Sequence, residues 1–375
     1  MTEPKRILHV VGSLGNGGIQ SYLMELYRHT DRSAIQFDFV VHIRTEQSYA
    51  DEVESLGGKV FYIDGDAFEK KAWRRYIRFW KRFFREHPEY RIVHGHLRST
   101  SAVYLWEAKR AGRYTIAHSH ATNNGYGPGA KVKDILQFPT RFIADSCMGC
   151  SRQANEWMFG KRIAERGGCE ILRNGIDARK FAFDPEIRIA VRRKLDIADE
   201  TFVIGSVGRL VEQKNQRLLI DAFAKTAQMR DNCLLLLVGD GPLRRDLEKQ
   251  IEASALQEKV RLLGNRTDAN ELLQAFDCFA MTSRNEGFPI AAIEAQSADL
   301  PVIVSSAVPE EACLTDRVYR IGSFAPQEWA ETLSKLQRKE RADNSALIAK
   351  AGYDIETIAS HLTDFYLSRP GKRRK

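Results

Sequence analysis

The chain has 375 residues, 43% hydrophobic and 28% charged, a globular balance that leaves room for two cores and excludes a low-complexity or fibrous chain. Its net charge of +8 lies wholly in residues 1–175, where 27 Lys and Arg meet 19 Asp and Glu; residues 176–375 carry 30 of each. The first half therefore suits an anionic partner, and no apolar run approaches the ~20 residues that would span a bilayer.

Residues 1–11 lack the organisation of a secretory leader, so the expected location is cytoplasmic. Six cysteines are scattered along the chain: Cys147, Cys150, Cys169, Cys233, Cys278 and Cys313. Cys147 and Cys150 have C-x-x-C spacing, but no second pair stands at a spacing that would complete a zinc site. Free thiols in a reducing compartment are expected.

Arg6-Ile7-Leu8-His9-Val10-Val11 reads as a buried parallel strand. The glycine-rich loop 12–18 follows and opens a helix over 19–27. That is a setting for anionic ligands. It is not a clean G-x-G-x-x-G, and no acidic residue ends the second strand, so a dinucleotide site is not expected. Strands over 37–42 and 60–63 flank a helix over 48–56. This βα alternation predicts a parallel sheet covered on both faces.

Residues 70–85 place Trp73, Tyr76, Ile77, Trp80, Phe83 and Phe84 on one helical face. Lys70, Lys71, Arg74, Arg75, Arg78, Lys81, Arg82 and Arg85 fill the gaps. Two readings stand side by side. In one, the aromatic stripe packs on the sheet and the basic face is solvated. In the other, the basic face meets an anionic membrane, worth about 1 kcal/mol per residue near the surface. No recognition motif accompanies the charge, so nucleic acid is not an expected partner.

A strand over 91–94 and a helix over 100–111 lead to Tyr114-Thr115-Ile116-Ala117-His118-Ser119-His120. That strand ends at the sheet edge where open α/β folds bind ligands. His118 and His120 alternate onto one face, and His94 and His96 repeat the pattern on the preceding strand. Such histidines exchange protons near neutral pH or serve as structural polar groups. A Gly-rich loop over 122–129 follows. Residues 143–150 lead to Ser151 and a helix, and Asn174-Gly175-Ile176-Asp177 carries a turn signal.

The second half opens with a strand and glycines over 202–209. Arg209 and Lys214 follow; they are either two surface cations or a clamp on a diphosphate, Arg bidentate and Lys as a point charge. A helix runs to 227. A strand over 234–238 leads through Gly239-Asp240-Gly241-Pro242 into a helix over 243–254. The strand 260–264 is followed by Asn265 and Arg266. An apolar run over 275–281 reads as another strand. Ser283-Arg284-Asn285-Glu286-Gly287-Phe288-Pro289 then turns into a helix over 290–298. Pro289 fits the first helical turn, and the amides after Gly287 suit a phosphate. Glu286 in the turn and Glu294 inside the helix reach different parts of a ligand, and two carboxylates beside a phosphate site suit a hydroxyl-rich molecule. A last helix is expected over 351–367, then a basic tail over 369–375.

The string from Ser283 to Ala295, with seven residues between Glu286 and Glu294 and Pro301-Val302-Ile303-Val304-Ser305 behind it, resembles the hallmark of retaining GT-B glycosyltransferases of family 4, the bacterial capsular and exopolysaccharide type. Gly208-Arg209-Leu210 with Lys214, the Gly239–Pro242 glycines and Asn174-Gly175-Ile176-Asp177 match the family pattern as well. The resemblance covers nearly the whole chain. It implies an α/β fold of two Rossmann-like domains facing across a cleft. Residues 1–175 would form the acceptor-side domain, with 351–375 packing back on it. Residues 176–350 would form the nucleotide-sugar domain.

The resemblance also implies site residues. Gly17 and Gly18 match a Gly-Gly loop near donor phosphate and acceptor; two places on, where the family often has an acidic residue, stands Gln20. His120, with His118 as the alternative, would lie beside the donor sugar. Arg209, Lys214 and the Gly287-Phe288-Pro289 turn would hold the diphosphate, with Gly241 nearby. Asn265 would meet the base, Glu294 the ribose and Glu286 the sugar. The implied activity is transfer of a hexose-type sugar from a UDP-sugar to a saccharide or lipid-linked acceptor in cell-surface polysaccharide synthesis. No metal or other cofactor is expected. Residues 70–85 and the basic tail would offer a peripheral contact to the inner face of the plasma membrane. A nucleotide-sugar epimerase or hydrolase on the same fold, and a binding protein without chemistry, are the rival readings.

Overall fold

The computed structural model describes residues 3–15, 17–44, 49–63, 72–122 and 128–369. Asn16, Ser48, Lys70, Lys71, the loop 123–127 and the tail beyond Arg369 lie outside the described residues. The chain divides into two compact units, Met1–Gly175 with Ile355–Lys375, and Ile176–Asp354.

The first unit is built on strands β1 (Lys5–Val11), β2 (Ile35–Val41), β3 (Val60–Tyr62), β4 (Ile92–Gly95), β5 (Tyr114–Ser119), β6 (Ser146–Gly149) and β7 (Cys169–Ile171). They run parallel in the order β3-β2-β1-β4-β5-β6-β7. Every residue of β2 and β4 is buried, as expected of a sheet covered on both faces. The order reverses direction between β1 and β4, which makes the carboxyl ends of those two strands the switch point where open sheets bind ligands.

The helix Ala72–Glu86 settles the question of its stripe. Tyr76, Trp80, Phe83 and Phe84 are buried in one cluster with Leu8, Val10 and Tyr104, while Trp73, Arg74, Arg75, Arg78, Lys81, Arg82 and Arg85 are exposed. The stripe is core from Tyr76 onward, Trp73 at its start is exposed, and the basic face is open to solvent. Exposed apolar side chains gather elsewhere in this unit, on the helices Pro128–Gln137 and Thr140–Ile143, where Ile135 is 72% and Phe142 68% exposed. The last helix, Ile355–Ser368, follows a kink at Gly352 and belongs to the first unit. It packs beside the helix Gly18–His29. Lys5 Nζ donates to its Tyr366 carbonyl at 2.8 Å.

The second unit has strands β8 (Phe202–Val207), β9 (Cys233–Val238), β10 (Val260–Gly264), β11 (Cys278–Met281), β12 (Val302–Ser305) and β13 (Val318–Ile321). Their order is β10-β9-β8-β11-β12-β13, again parallel, with the switch between β8 and β11. The apolar run 275–281 is shorter as a strand than its hydropathy suggests. Ala275 ends the helix Ala269–Ala275, and Asp277 stands between helix and strand.

Asp277 is an electrostatic hub at the opposite edge of this sheet. Its buried carboxylate takes Arg188 at 2.6 Å, Arg338 at 2.9 Å and Arg192 at 3.4 Å, and accepts from the Val203 amide at 2.8 Å. The same guanidiniums bond backbone carbonyls of residues 274–276 and 198–201, where chain ends leave acceptors unpaired.

Candidate functional site

Four loops leave the carboxyl edge of the second sheet and lace together. Leu210, after β8, donates its amide to the Asp240 carbonyl after β9 at 2.9 Å, and Gly239 donates to Gly264 at 2.8 Å. The loops after β8 and β11 are joined most firmly. Thr282 Oγ1 donates to the carbonyls of Lys214 and Asn215 at 3.1 and 2.9 Å. Arg284 donates its amide to the Gln213 carbonyl at 2.8 Å, and Gln213 Nε2 returns a 2.8 Å bond to the Asn285 carbonyl. Asn215 takes the left-handed conformation, φ 53°, a turn that Asn tolerates better than most residues.

The result is a fixed pair. Lys214 Nζ donates to Glu286 Oε1 at 2.7 Å; the Glu286 side chain is only 4% exposed, that of Lys214 24%. The lysine has donors to spare and an open side, and the carboxylate has a second oxygen. Glu294 sits half-buried on the helix Ile290–Ser297. Pro289 caps this helix rather than filling its first turn, and the amides of Ile290, Ala292 and Ile293 bond back to Phe288 and Pro289. Phe288 rests against Tyr353, ring centroids 5.4 Å apart.

Arg209 is exposed on the same edge, as is Asn265; Arg266 beside it is held by Asp268. At Gly241 two backbones approach closely, since a Cβ there would stand 2.4 Å from the Leu210 carbonyl oxygen. Arg209, Lys214, Gly241, Asn265, Glu286, Gly287, Phe288, Pro289 and Glu294 therefore all stand on loops, or on the first turns of helices, that leave one edge of one sheet.

The first unit holds Gly17 at the N-cap of the helix Gly18–His29, and Gln20 reaches back to the Ser13 carbonyl at 3.2 Å. At the switch point of this sheet lies a feature only half visible in the sequence. His9 on β1 pairs in register with His94 on β4. His96, His118 and His120 continue the same face toward the strand ends. His9 Nδ1 faces His96 Nε2 at 2.9 Å, His96 Nδ1 faces His120 Nε2 at 2.9 Å, and His94 Nε2 faces His118 Nδ1 at 3.2 Å. Tyr366 OH closes the row on His94 Nδ1 at 2.6 Å.

Burial pushes every one of these imidazoles toward the neutral form, His9 and His120 down to about 3 and the other three well below their ordinary value. His118 is fully buried whereas His120 is partly exposed. His9, His94 and His96 form one triad, and His96, His118 and His120 another, with ligand atoms within 4.8 Å of one another. The contribution of His9 is legible only by aligning the strands, because it comes from a strand some 85 residues upstream.

The six cysteines are all free, and Cys147 of the C-x-x-C spacing faces Cys169 on the next strand rather than Cys150. Among the described residues no helix is long and apolar enough to cross a membrane.

Known proteins resemble this chain in sequence and in fold. Residues 188–354 match the family described as Glycosyl transferases group 1, and residues 16–180 match Glycosyltransferase Family 4. The glycosyltransferase-type protein EpsF of Bacillus subtilis (strain 168) is 31% identical over 97% of both chains. The UDP-Gal:alpha-D-GlcNAc-diphosphoundecaprenol alpha-1,3-galactosyltransferase of Escherichia coli is 28% identical over 58% of both. Among solved structures, Anabaena Alr3699/HepE in complex with UDP and glucose superposes with a TM-score of 0.79, 22% identity, and coverage of 97% of this chain and 100% of that one. WaaG, a glycosyltransferase involved in lipopolysaccharide biosynthesis, gives 0.68 at 16% identity, covering 98% and 96%. With two parallel Rossmann-like sheets and a relative this similar along its whole length, the chain belongs to the family 4 glycosyltransferases of the GT-B fold.

Proposed function

We propose that this transferase moves a hexose-type sugar, with retention at the anomeric carbon, from a UDP-sugar to a saccharide or lipid-linked saccharide in the assembly of a cell-surface polysaccharide. The observation that carries the reading is the Lys214–Glu286 pair, a cation and a carboxylate locked together at the switch point of the second sheet. A departing diphosphate needs the first and sugar hydroxyls need the second.

Charge develops on the diphosphate as the bond to the anomeric carbon breaks, so Arg209, Lys214 and the backbone at Gly287 and Phe288 act there. Glu286 accepts from hydroxyls of the sugar and Glu294 from those of the ribose. Gly241 lets the nucleotide approach the backbone, and Asn265 meets the base. Pro289 fixes the turn. From the first unit, Gly17 and Gly18 give close approach to the ligand, and His120 holds the sugar near its reacting carbon. Its partial exposure, against the burial of His118, favours it for that task. UDP is supported by the uridine nucleotides named with the Escherichia coli and Anabaena proteins. A lipid-linked acceptor is supported by the diphosphoundecaprenol of the former and by two surfaces of the first unit suited to an anionic membrane. These are the basic face of the helix Ala72–Glu86 and the exposed apolar side chains around Ile135 and Phe142.

Thermal shift against UDP, GDP, ADP and their sugars tests the reading, with Glu294→Ala alongside. Stabilisation of the wild type by a uridine nucleotide, absent from the variant, is expected. No shift by any nucleotide at millimolar concentration would overturn it.

A further inference from the structure

We propose that His96, His118 and His120 form a binding site for one divalent transition metal, zinc foremost, at the carboxyl edge of the first sheet. Each offers a ring nitrogen within 4.8 Å of the other two. Tetrahedral zinc binds imidazole nitrogen at about 2.0–2.1 Å, which sets its ligands about 3.4 Å from one another. His96 Nδ1 and His120 Nε2 stand at 2.9 Å. Two neutral imidazoles facing nitrogen to nitrogen share a single proton. A metal takes the place of that proton when the rings part by about half an ångström.

The third ligand has its atom waiting. His118 Nε2 is buried and has no hydrogen-bond partner. An orphaned buried ring nitrogen costs free energy that a metal would recover. The outer hydrogen bonds are consistent with this choice of atoms. With His96 Nδ1, His118 Nε2 and His120 Nε2 on the metal, the opposite nitrogens must carry protons. His96 Nε2 then donates to His9 Nδ1 at 2.9 Å, and His118 Nδ1 donates to His94 Nε2 at 3.2 Å. His94 Nδ1 in turn donates to the Tyr366 hydroxyl oxygen at 2.6 Å. His120 Nδ1 has Asn174 beside it, whose Oδ1 is likewise without a partner. One set of tautomers fits these bonds and places the His9 proton on its buried, unpartnered Nε2. His118 stands on β5, and His96 and His120 stand one residue beyond the ends of the adjacent strands β4 and β5, whose pairing fixes their spacing.

Three histidines leave the fourth position of a tetrahedron for water or a ligand oxygen. His120, the partly exposed member, marks the side from which it is reached. The inference goes beyond the transferase reading, which needs no metal. With metal on His120 Nε2, a sugar hydroxyl would meet the metal's open position instead of the ring.

The test uses untagged, chelator-stripped full-length protein titrated with Co²⁺. One equivalent is expected to bind, with the intense visible bands of a tetrahedral site, and Zn²⁺ is expected to displace it. His118→Ala should weaken binding at least tenfold and remove the bands, while His361→Ala, an exposed histidine paired with Glu170, should leave both unchanged. Wild-type protein that takes up no stoichiometric Co²⁺, or shows only weak octahedral bands, overturns the proposal, as does folded His118→Ala that binds like wild type. Should His118→Ala not fold, the wild-type spectrum decides alone. The nucleotide shifts are measured on the stripped protein. Nucleotide binding without Co²⁺ binding sinks only the metal site, and the converse sinks only the transferase reading.

Discussion

Lys214 and Glu286 are 72 residues apart in sequence, and Lys214 Nζ donates to Glu286 Oε1 at 2.7 Å across the one pair of strands, β8 and β11, where the second sheet reverses its order. Each residue holds the other in place while no ligand is present. A diphosphate would compete for the lysine and a sugar for the carboxylate, so the pair is a pre-arranged exchange of partners.

Breaking the pair from its two sides should therefore differ. Glu286→Gln keeps the shape and removes the charge, so the melting temperature should hold within a few degrees while kcat/KM for transfer falls at least 100-fold. Lys214→Met leaves a buried carboxylate without its cation. It should lose about 1–3 kcal/mol of stability as well as activity. Urea midpoints and steady-state kinetics on both variants check this.

Gly241→Ala should act through the backbone. Its Cβ would stand 2.4 Å from the Leu210 oxygen, so the loops after β8 and β9 must separate. A loss of about 1–3 kcal/mol is expected, together with weaker nucleotide binding by calorimetry. Unchanged affinity would detach this glycine from the donor site.

Asp277→Asn should damage stability without touching the donor site. The carboxylate compensates Arg188, Arg192 and Arg338, and Arg192 is nearly fully buried. Leaving those guanidiniums uncompensated should cost about 3–5 kcal/mol. Variant protein that remains folded at low temperature should bind nucleotide with wild-type affinity.

Acid should weaken the first unit through His42. Burial lowers this ring from 6.5 to about 4, and its Nε2 lies 3.2 Å from Tyr76 OH. Below pH 6.5 the unfolded chain takes up a proton that the folded ring refuses. Stability is therefore complete above pH 6.5 and declines as pH falls through 4, by at most about 3 kcal/mol from this group. His42→Gln should lessen the slope of the urea-midpoint profile between pH 6.5 and 4, the other buried histidines of this unit supplying the rest.

Charge reversal on the basic helix face separates surface from core. Arg78→Glu with Arg82→Glu should leave the melting temperature within about a degree, since both side chains are exposed. Sedimentation with anionic vesicles should fall. Trp80→Ala, by contrast, empties a fully buried site and should cost about 3–5 kcal/mol.

The alternation of strand and helix, and the loops that carry Lys214 and Glu286, are legible in the sequence because each rests on local signals: β-branched runs, glycines and one proline. Hydropathy alone misplaces the start of β11. The helix Ala269–Ala275 and the strand Cys278–Met281 are both apolar, with only Asp277 to part them. The helix Pro128–Gln137 hides behind a run of glycines and exposes apolar side chains that give no clean amphipathic stripe. The histidine rows, the Asp277 hub and the Cys147–Cys169 neighbours depend on which strands lie side by side, which no local pattern states.

The first unit is not contiguous in the chain. Its β1 holds the carbonyl of Tyr366 through Lys5, and Tyr366 holds His94. During synthesis the seven strands of this sheet leave the ribosome long before the helix Ile355–Ser368 exists, and the whole of the second unit must be made in between. The second unit, drawn from one unbroken segment, can close first. The unit made first is thus the last to be finished, and a truncation of only the final fifteen or so residues would strike the beginning of the protein rather than its end.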